Sequence, residues 1–400
     1  MSESIGYLSV ADAADEDDPF DFNLSLGYRW ARSSGSVERE ALVDGGSGRV
    51  PGMDEVGDYL ATWNYLDVKA EIGIYHDFSL RVHLPVLLSY DQSIKDIGDA
   101  RLGTENAISA TRSGIPEVIV GLAWAPMNQH RRADRPTWLW LFNVALPVGN
   151  VMSPCLNDTM DCDPGITQGV VRLLPEMRLS RRFRHVEAYG AFAGEIPFVT
   201  KSKDLFMPGG NLEGYQNTRP SIRGFLNMGF ALIPWEKRAA HQRLAIDLRF
   251  LAGYVSQGRN FSPLFDTLGT RHSFAPVCPD GRAAGSAGAC SATDPTATPF
   301  TGLTDTQAYG TLGGRLTLEV KAARYVTFFL SSGVQMLSRH LLTVADECNA
   351  SVTGGANEIG CINDTTANPH YQATLDQAGS RLGMGNVMHM DLQVRAQGTF

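Results

Sequence analysis

Hydrophobic and polar residues alternate along stretches of this chain that are too long for the strands of a soluble sheet. From Arg381 to Phe400, Leu382, Met384, Met388, Met390, Leu392, Val394, Ala396, Gly398 and Phe400 fall on one side. Arg381, Gly383, Gly385, His389, Asp391, Gln393, Arg395, Gln397 and Thr399 fall on the other, and Asn386 is the one lapse on the oily side. A strand points successive side chains to opposite faces, so one face here is apolar and the other polar. Soluble strands usually stop after about five or six residues. Strands of roughly ten residues, apolar outside and polar inside, are the mark of a transmembrane β-barrel.

The same rule recurs along the chain. Phe20 to Trp30 alternates first, followed by a Gly-, Ser- and Glu-rich stretch, Ala31 to about Leu60, without periodicity and expected to be a loop. Leu66 to Ile74 and Phe78 to Tyr90 then form a hairpin turning at His76 and Asp77. Val118–Trp124 with Trp138–Val148, Val171–Leu179 with Val186–Phe198, Ile222–Leu232 with Leu244–Tyr254, and Leu312–Val320 with Val326–Met336 repeat it, each across a short turn. Long connections at Asp91–Ser113, Gly149–Gln168, Thr200–Arg219, Ser256–Ala308 and Arg339–Ser380 separate the hairpins. The expected fold is an all-β, transmembrane, antiparallel up-and-down barrel of about twelve strands, with long extracellular loops and short periplasmic turns. Residues 1–19 read as an acidic flexible tail and 20–400 as the barrel. A soluble sandwich or propeller would also alternate, but strand length, a nearly uncharged oily face and the strict long and short connections count against it.

Composition changes the picture in three ways. No run of about 18 apolar residues exists, which excludes helical spans, and a net charge of −9 without a basic patch argues against nucleic acid as a partner. The six cysteines fall as local pairs in loop segments, Cys155 with Cys162, Cys278 with Cys290 and Cys348 with Cys361. Such pairs point to disulfides in an oxidising compartment; the spacings do not suit a zinc site. Met1 to Pro19 has no apolar signal segment, so an export signal is expected to have been removed. Asp12, Asp15, Glu16, Asp17 and Asp18 are then a solvated tail.

Two resemblances add to this. The alternating closing strand ending on Phe400 resembles the last strand of bacterial outer-membrane barrels, which implies outer-membrane lipid and the barrel-assembly machinery as partners. The segments "GIYHDFSLRVHLP" from Gly73, "GIPEVIVGLAWAP" from Gly114 and "NVALPVGN" from Asn143 resemble the outer-membrane channel-like transporters of aromatic-degradation, phenol meta-pathway type. That likeness covers the first half of the chain and implies transport of a small solute.

If the oily faces meet lipid, the opposite faces line a lumen. Glu71, Arg81, His83, Glu176, Arg178, Asp247, Arg249, Arg315, Glu319 and Arg395 then lie at similar heights in a mixed-charge belt in the periplasmic half, with His389 and Asp391 above it. Rings of charge set pore selectivity, though opposed charges can also simply fill a narrow lumen. Two functions follow: a passive channel for small solutes, or a largely plugged recognition barrel acting through its disulfide-pinned loops. A hydrolase needs a nucleophile, a base and an orienting group together; the outward faces offer Ser332 and Asn386 without a His or acid, and no cofactor is expected. In "CLNDTMDCDPG", Asp158, Asp161 and Asp163 could bind calcium or be merely solvated.

Overall fold

A computed structural model describes residues 5–11, 21–44, 49–103, 106–156, 162–207, 216–270, 290–291, 293–294, 300–344, 361–362, 366–368 and 371–400. Twelve strands form the wall: β1 (Phe22–Asp44), β2 (Arg49–Tyr75), β3 (Phe78–Lys95), β4 (Glu117–Met127), β5 (Thr137–Pro147), β6 (Val170–Phe183), β7 (Val186–Val199), β8 (Arg223–Lys237), β9 (Gln242–Val255), β10 (Tyr309–Ala323), β11 (Val326–Leu337) and β12 (Leu382–Thr399). Each pairs antiparallel with its chain neighbours, and β1 also pairs with β12, so the sheet closes on itself. Closure leaves no edge in the wall, as a lipid environment requires. The seam is fastened at its periplasmic end by the Phe22 and Phe400 backbones, which exchange N–H···O bonds of 2.9 and 2.8 Å.

The alternation sorts the wall as expected. Leu26, Phe142, Phe192, Leu316, Leu330 and Val394 all stand exposed on the outside, while Asp67, Glu187, Asp247 and Glu319 are buried inside. So much contiguous apolar surface would not survive in water; the barrel spans a membrane. Tyr75, Phe183, Trp235 and Tyr325 stand exposed near the short turns, where an interfacial belt of aromatics belongs. At the first turn Asp77 takes a φ of 51°, a left-handed conformation that Asp tolerates through its short polar side chain.

Three expectations are corrected. The stretch Ala31–Leu60 is not a loop: β1 and β2 stay paired from Phe22 opposite Ile72 up to Asp44 opposite Arg49, with a single register shift between Val37 and Glu38. Its periodicity is hidden because this part of the hairpin rises beyond the lipid, where neither face has to be oily. The oily face of the closing strand is not continuous either. Between Met388 and Gly385, β12 carries one residue more than β1 does between Ser34 and Ser36, with Asn386 at φ 52°. This bulge reverses the facing of everything above it. Met384 and Leu382 therefore turn inward, fully buried with Val37, Val56, Tyr59 and Leu342 in a core that fills the extracellular mouth. Third, residues 5–11, grouped with the acidic tail by composition, lie inside the lumen, where Ile5, Leu8 and Ala11 are buried. The acidic residues Asp12, Asp15, Glu16, Asp17 and Asp18 lie outside the described residues.

Candidate functional site

The lumen is a string of three cavities. An upper one of about 330 Å³ lies under the extracellular cap among Trp63, Tyr65, Tyr90, Arg112 and Phe265. A middle one of about 360 Å³ is lined by Lys69, Glu71, Arg81, His83, Glu176, Arg178, Glu195 and Arg395. A lower one of about 350 Å³ opens toward the short turns beside His130, Arg243, Lys321 and Phe400. Upper and middle cavities share Glu195, and middle and lower share Gly6, Ser9, Asn23 and Gln397. The upper neck carries a charge chain that runs along the wall from β4 to β8. Arg172 binds Glu117 and, at 3.0 Å, Glu195, while Arg223 lies 3.6 Å from Glu195 on the other side.

The lower neck is made by the inserted segment itself. The Ile5 and Gly6 amides donate to Glu187 (3.1 Å) and Glu319 (2.8 Å), and the Ala11 amide to Glu71 (3.1 Å). Tyr7 donates its hydroxyl to Glu176 at 2.9 Å, and Arg178 returns a bond to the Tyr7 carbonyl. The Tyr7 ring has the Arg249 guanidinium 3.5 Å and that of Arg178 3.9 Å from its centroid. A desolvated cation over an aromatic face is worth about 2 kcal/mol. Ile5 and Leu8 add a small apolar contact with Tyr189, Ala231, Ile233 and Ala245. Carboxylates of the wall thus satisfy backbone donors of a segment that makes no ladder bonds of its own.

The residues singled out in sequence divide between these places. Glu71, Arg81, His83, Glu176, Arg178 and Arg395 surround the middle cavity. Glu71 accepts from Ser79 (2.6 Å) and lies 3.4 Å from Arg81; His83 sits 2.8 Å from Asp67, which Arg29 also holds at 3.0 Å. Asp247 and Arg249 pair at 2.7 Å, with Tyr189 bonded to both. Glu319 is held by Arg243 and by the inserted segment, and Arg315 pairs with Asp391 at 2.6 Å. His389 packs edge-on against Trp63, 5.9 Å between ring centroids. Sequence reasoning passed over Lys69, Arg243, the lumen-facing Leu174 and Phe225, and the segment around Tyr7. Lys69 was visible in its inward register; Tyr7 carried no signal, because its partners come from strands 169 and more residues away.

The extracellular cap is held differently. Arg112 is fully buried and forks onto Asp266 at 2.6 and 3.0 Å; its remaining N–H groups reach the carbonyls of Ser153 and Pro164. Asp266, in the short helix α1 (Phe265–Gly269), also accepts the Cys155 amide at 3.0 Å. One carboxylate therefore joins three extracellular segments. Cys155 and Cys162 form a disulfide. Cys290 is also disulfide-bonded, while Cys278 and Cys348 lie outside the described residues. So do Asp158 and Asp161; Asp163 accepts the Gly165 amide at 3.0 Å. Among the described residues no three His, Cys, Asp or Glu side chains gather to hold a metal. Two cap acids are displaced upward by burial, Asp305 to about 6 despite Arg259, and Asp376 to about 7 despite its bond from the Gln372 amide.

No protein-family model matches the chain, and no curated protein matches it. Solved structures match at low identity. An outer membrane channel from Pseudomonas putida F1 is similar at 10% identity over 100% of both chains, with a TM-score of 0.41. The outer membrane protease OmpT from Escherichia coli is similar at 7% over 95% of this chain and 96% of its own, with a TM-score of 0.31. A Pseudomonas aeruginosa FadL homologue is similar at 8% over 95% and 90%, with a TM-score of 0.32. Likeness at this level assigns no activity.

Proposed function

We propose that the chain is a bacterial outer-membrane channel for passive passage of small solutes, and that residues 5–11 are a removable stopper in it. The observation that carries this reading is the string of cavities sharing wall residues from the cap to the short turns. A barrel filled only for stability would be expected to close such space with side chains, as small barrels do. The stopper is held chiefly by hydrogen bonds to carboxylates and by one stacked tyrosine, contacts that water and solute can replace when it leaves.

Conductance in a planar bilayer tests the proposal. The intact chain should conduct in brief openings, and a variant lacking residues 1–11 should conduct continuously. Absence of current through the truncated barrel, once its fold is confirmed by heat-modifiable migration and circular dichroism, would overturn it. A second reading, a recognition barrel acting through its loops, is favoured by one feature: the cap around Arg112 and Asp266 is built as a rigid core. Deleting cap segments should leave conductance in place if the channel reading holds, and abolish only partner binding if the second does.

A further inference from the structure

The middle cavity has more cations than it can pair. Four cationic side chains, Lys69, Arg81, Arg178 and Arg395, and three carboxylates, Glu71, Glu176 and Glu195, line it. Each carboxylate is already engaged: Glu71 with Arg81 and the Ala11 amide, Glu176 with Arg178 and Tyr7, Glu195 with Arg172 and Arg223. The two acids just outside the cavity are committed as well, Asp67 to Arg29 and His83, and Glu319 to Arg243 and the Gly6 amide. Among the described residues, Lys69 and Arg395 have no carboxylate within ion-pair distance. The Arg395 guanidinium instead rests 3.9 Å from the centroid of the Phe329 ring. Gly27 stands beside it in the register, and a Cβ there would lie 3.2 Å from the Arg395 Cβ, so the glycine clears the space in which Arg395 turns.

Three of the four cations occupy one arc of the wall, while Arg178 stands on β6, paired with Glu176. Arg395 is on β12, Lys69 on β2 and Arg81 on β3, and β12, β1, β2 and β3 are neighbours round the seam. Across the lumen, Leu174 on β6 and Phe225 on β8 add apolar surface beside the already paired Glu176, Arg178 and Glu195, and Ile119 of β4 lies between the arcs. Leaving two cations unpaired in a partly dehydrated space is costly unless an anion completes them. An inorganic ion would answer the charge and leave Leu174 and Phe225 without a partner in the cavity.

We infer that the middle cavity is a binding site for a small amphiphilic organic anion, an aromatic or short-chain carboxylate, its charged end on Lys69 and Arg395 and its apolar body against Leu174 and Phe225. The site deepens the channel reading and rests on it for the solute's route, but its binding can be measured without current.

Benzoate is the probe, with benzyl alcohol as its uncharged counterpart and acetate as its headgroup alone, titrated by calorimetry into the detergent-folded full chain. Benzoate should bind best of the three. Lys69→Met and Arg395→Met should each weaken it about tenfold or more, the size of one lost charge-assisted hydrogen bond. Lys69→Arg should retain binding, which separates loss of charge from loss of fold. Phe225→Ala should weaken benzoate and leave acetate unchanged. The inference is overturned if benzyl alcohol binds as well as benzoate, or if both Met variants bind benzoate like the parent chain. Current without benzoate binding would sink the site and leave the channel; binding without current would do the reverse.

Discussion

The lumen is obstructed twice, and the two obstructions are built from different contacts. At the extracellular mouth, Val37, Tyr59, Ile94, Leu264, Leu342, Leu382 and Met384 form a continuous apolar core, pinned by a buried ion pair between Arg112 and Asp266. Below it, residues 5–11 bring the buried aliphatic side chains of Ile5, Leu8 and Ala11 and otherwise bind through amide donors, a phenol and two stacked guanidinium groups. Apolar burial in a closed core is worth about 25 cal/mol per Å² and has no substitute in water, whereas a hydrogen bond exchanged for one to water nets only about 1 kcal/mol. The cap is therefore part of the folded body, and the inserted segment is a ligand of it.

The largest expected effect breaks the cap side of this contrast. Asp266→Ala leaves the Arg112 guanidinium buried without its partner, at a cost of about 3–5 kcal/mol. Protease cleavage and amide exchange should rise across the cap and leave the twelve wall strands protected. The double variant Arg112→Met with Asp266→Leu should recover most of that loss, because both charges go together.

On the segment side, Tyr7→Ala removes two cation–π contacts and a hydrogen bond to a carboxylate, on the order of 2–4 kcal/mol of docking. Thermal unfolding of the barrel should hardly move, while single-channel open time lengthens. A fall in barrel stability comparable to that of the cap variant would erase the distinction between the two.

A smaller effect is expected at the bulge that turns β12 into the cap. Asn386 has φ 52°, and Asn386→Val should cost about 1–2 kcal/mol because a β-branched residue resists that conformation. Asn386→Gly should be close to neutral by thermal melting.

The mildest test uses pH. Asp376, facing Asp305, Arg259 and Arg381, is held up to about 7 in the folded cap against an ordinary value of 3.8. The folded cap then keeps a proton that the opened cap releases, so its stability is highest below about pH 4, declines as pH rises toward 7 and levels off above. Cap protease resistance should follow that course, and Asp376→Asn should make it shallower, leaving the decline between about pH 4 and 6 that Asp305 contributes. An unchanged slope in that variant would place the titration elsewhere.

Alternation of side chains decided the wall. From Leu26, Phe142, Leu316 and Val394 outside to Asp67, Glu176 and Asp247 inside, facing is a property of strand geometry and lipid, and both act residue by residue along the chain. Strand number, antiparallel order and the inward set of Glu71, Arg81, His83, Glu176, Arg178 and Arg395 could be read for that reason. Three-dimensional closure decided the rest. Which charges pair, and that Lys69 and Arg395 are left over, depends on strands brought together round the seam. The facing of Met384 turns on one extra residue at Asn386, and the place of Tyr7 on side chains from β6 and β9. Local periodicity carries no trace of partners so distant in sequence, because a hydrogen bond or a stacked cation needs only proximity, and proximity across a lumen is set by the closing of the barrel.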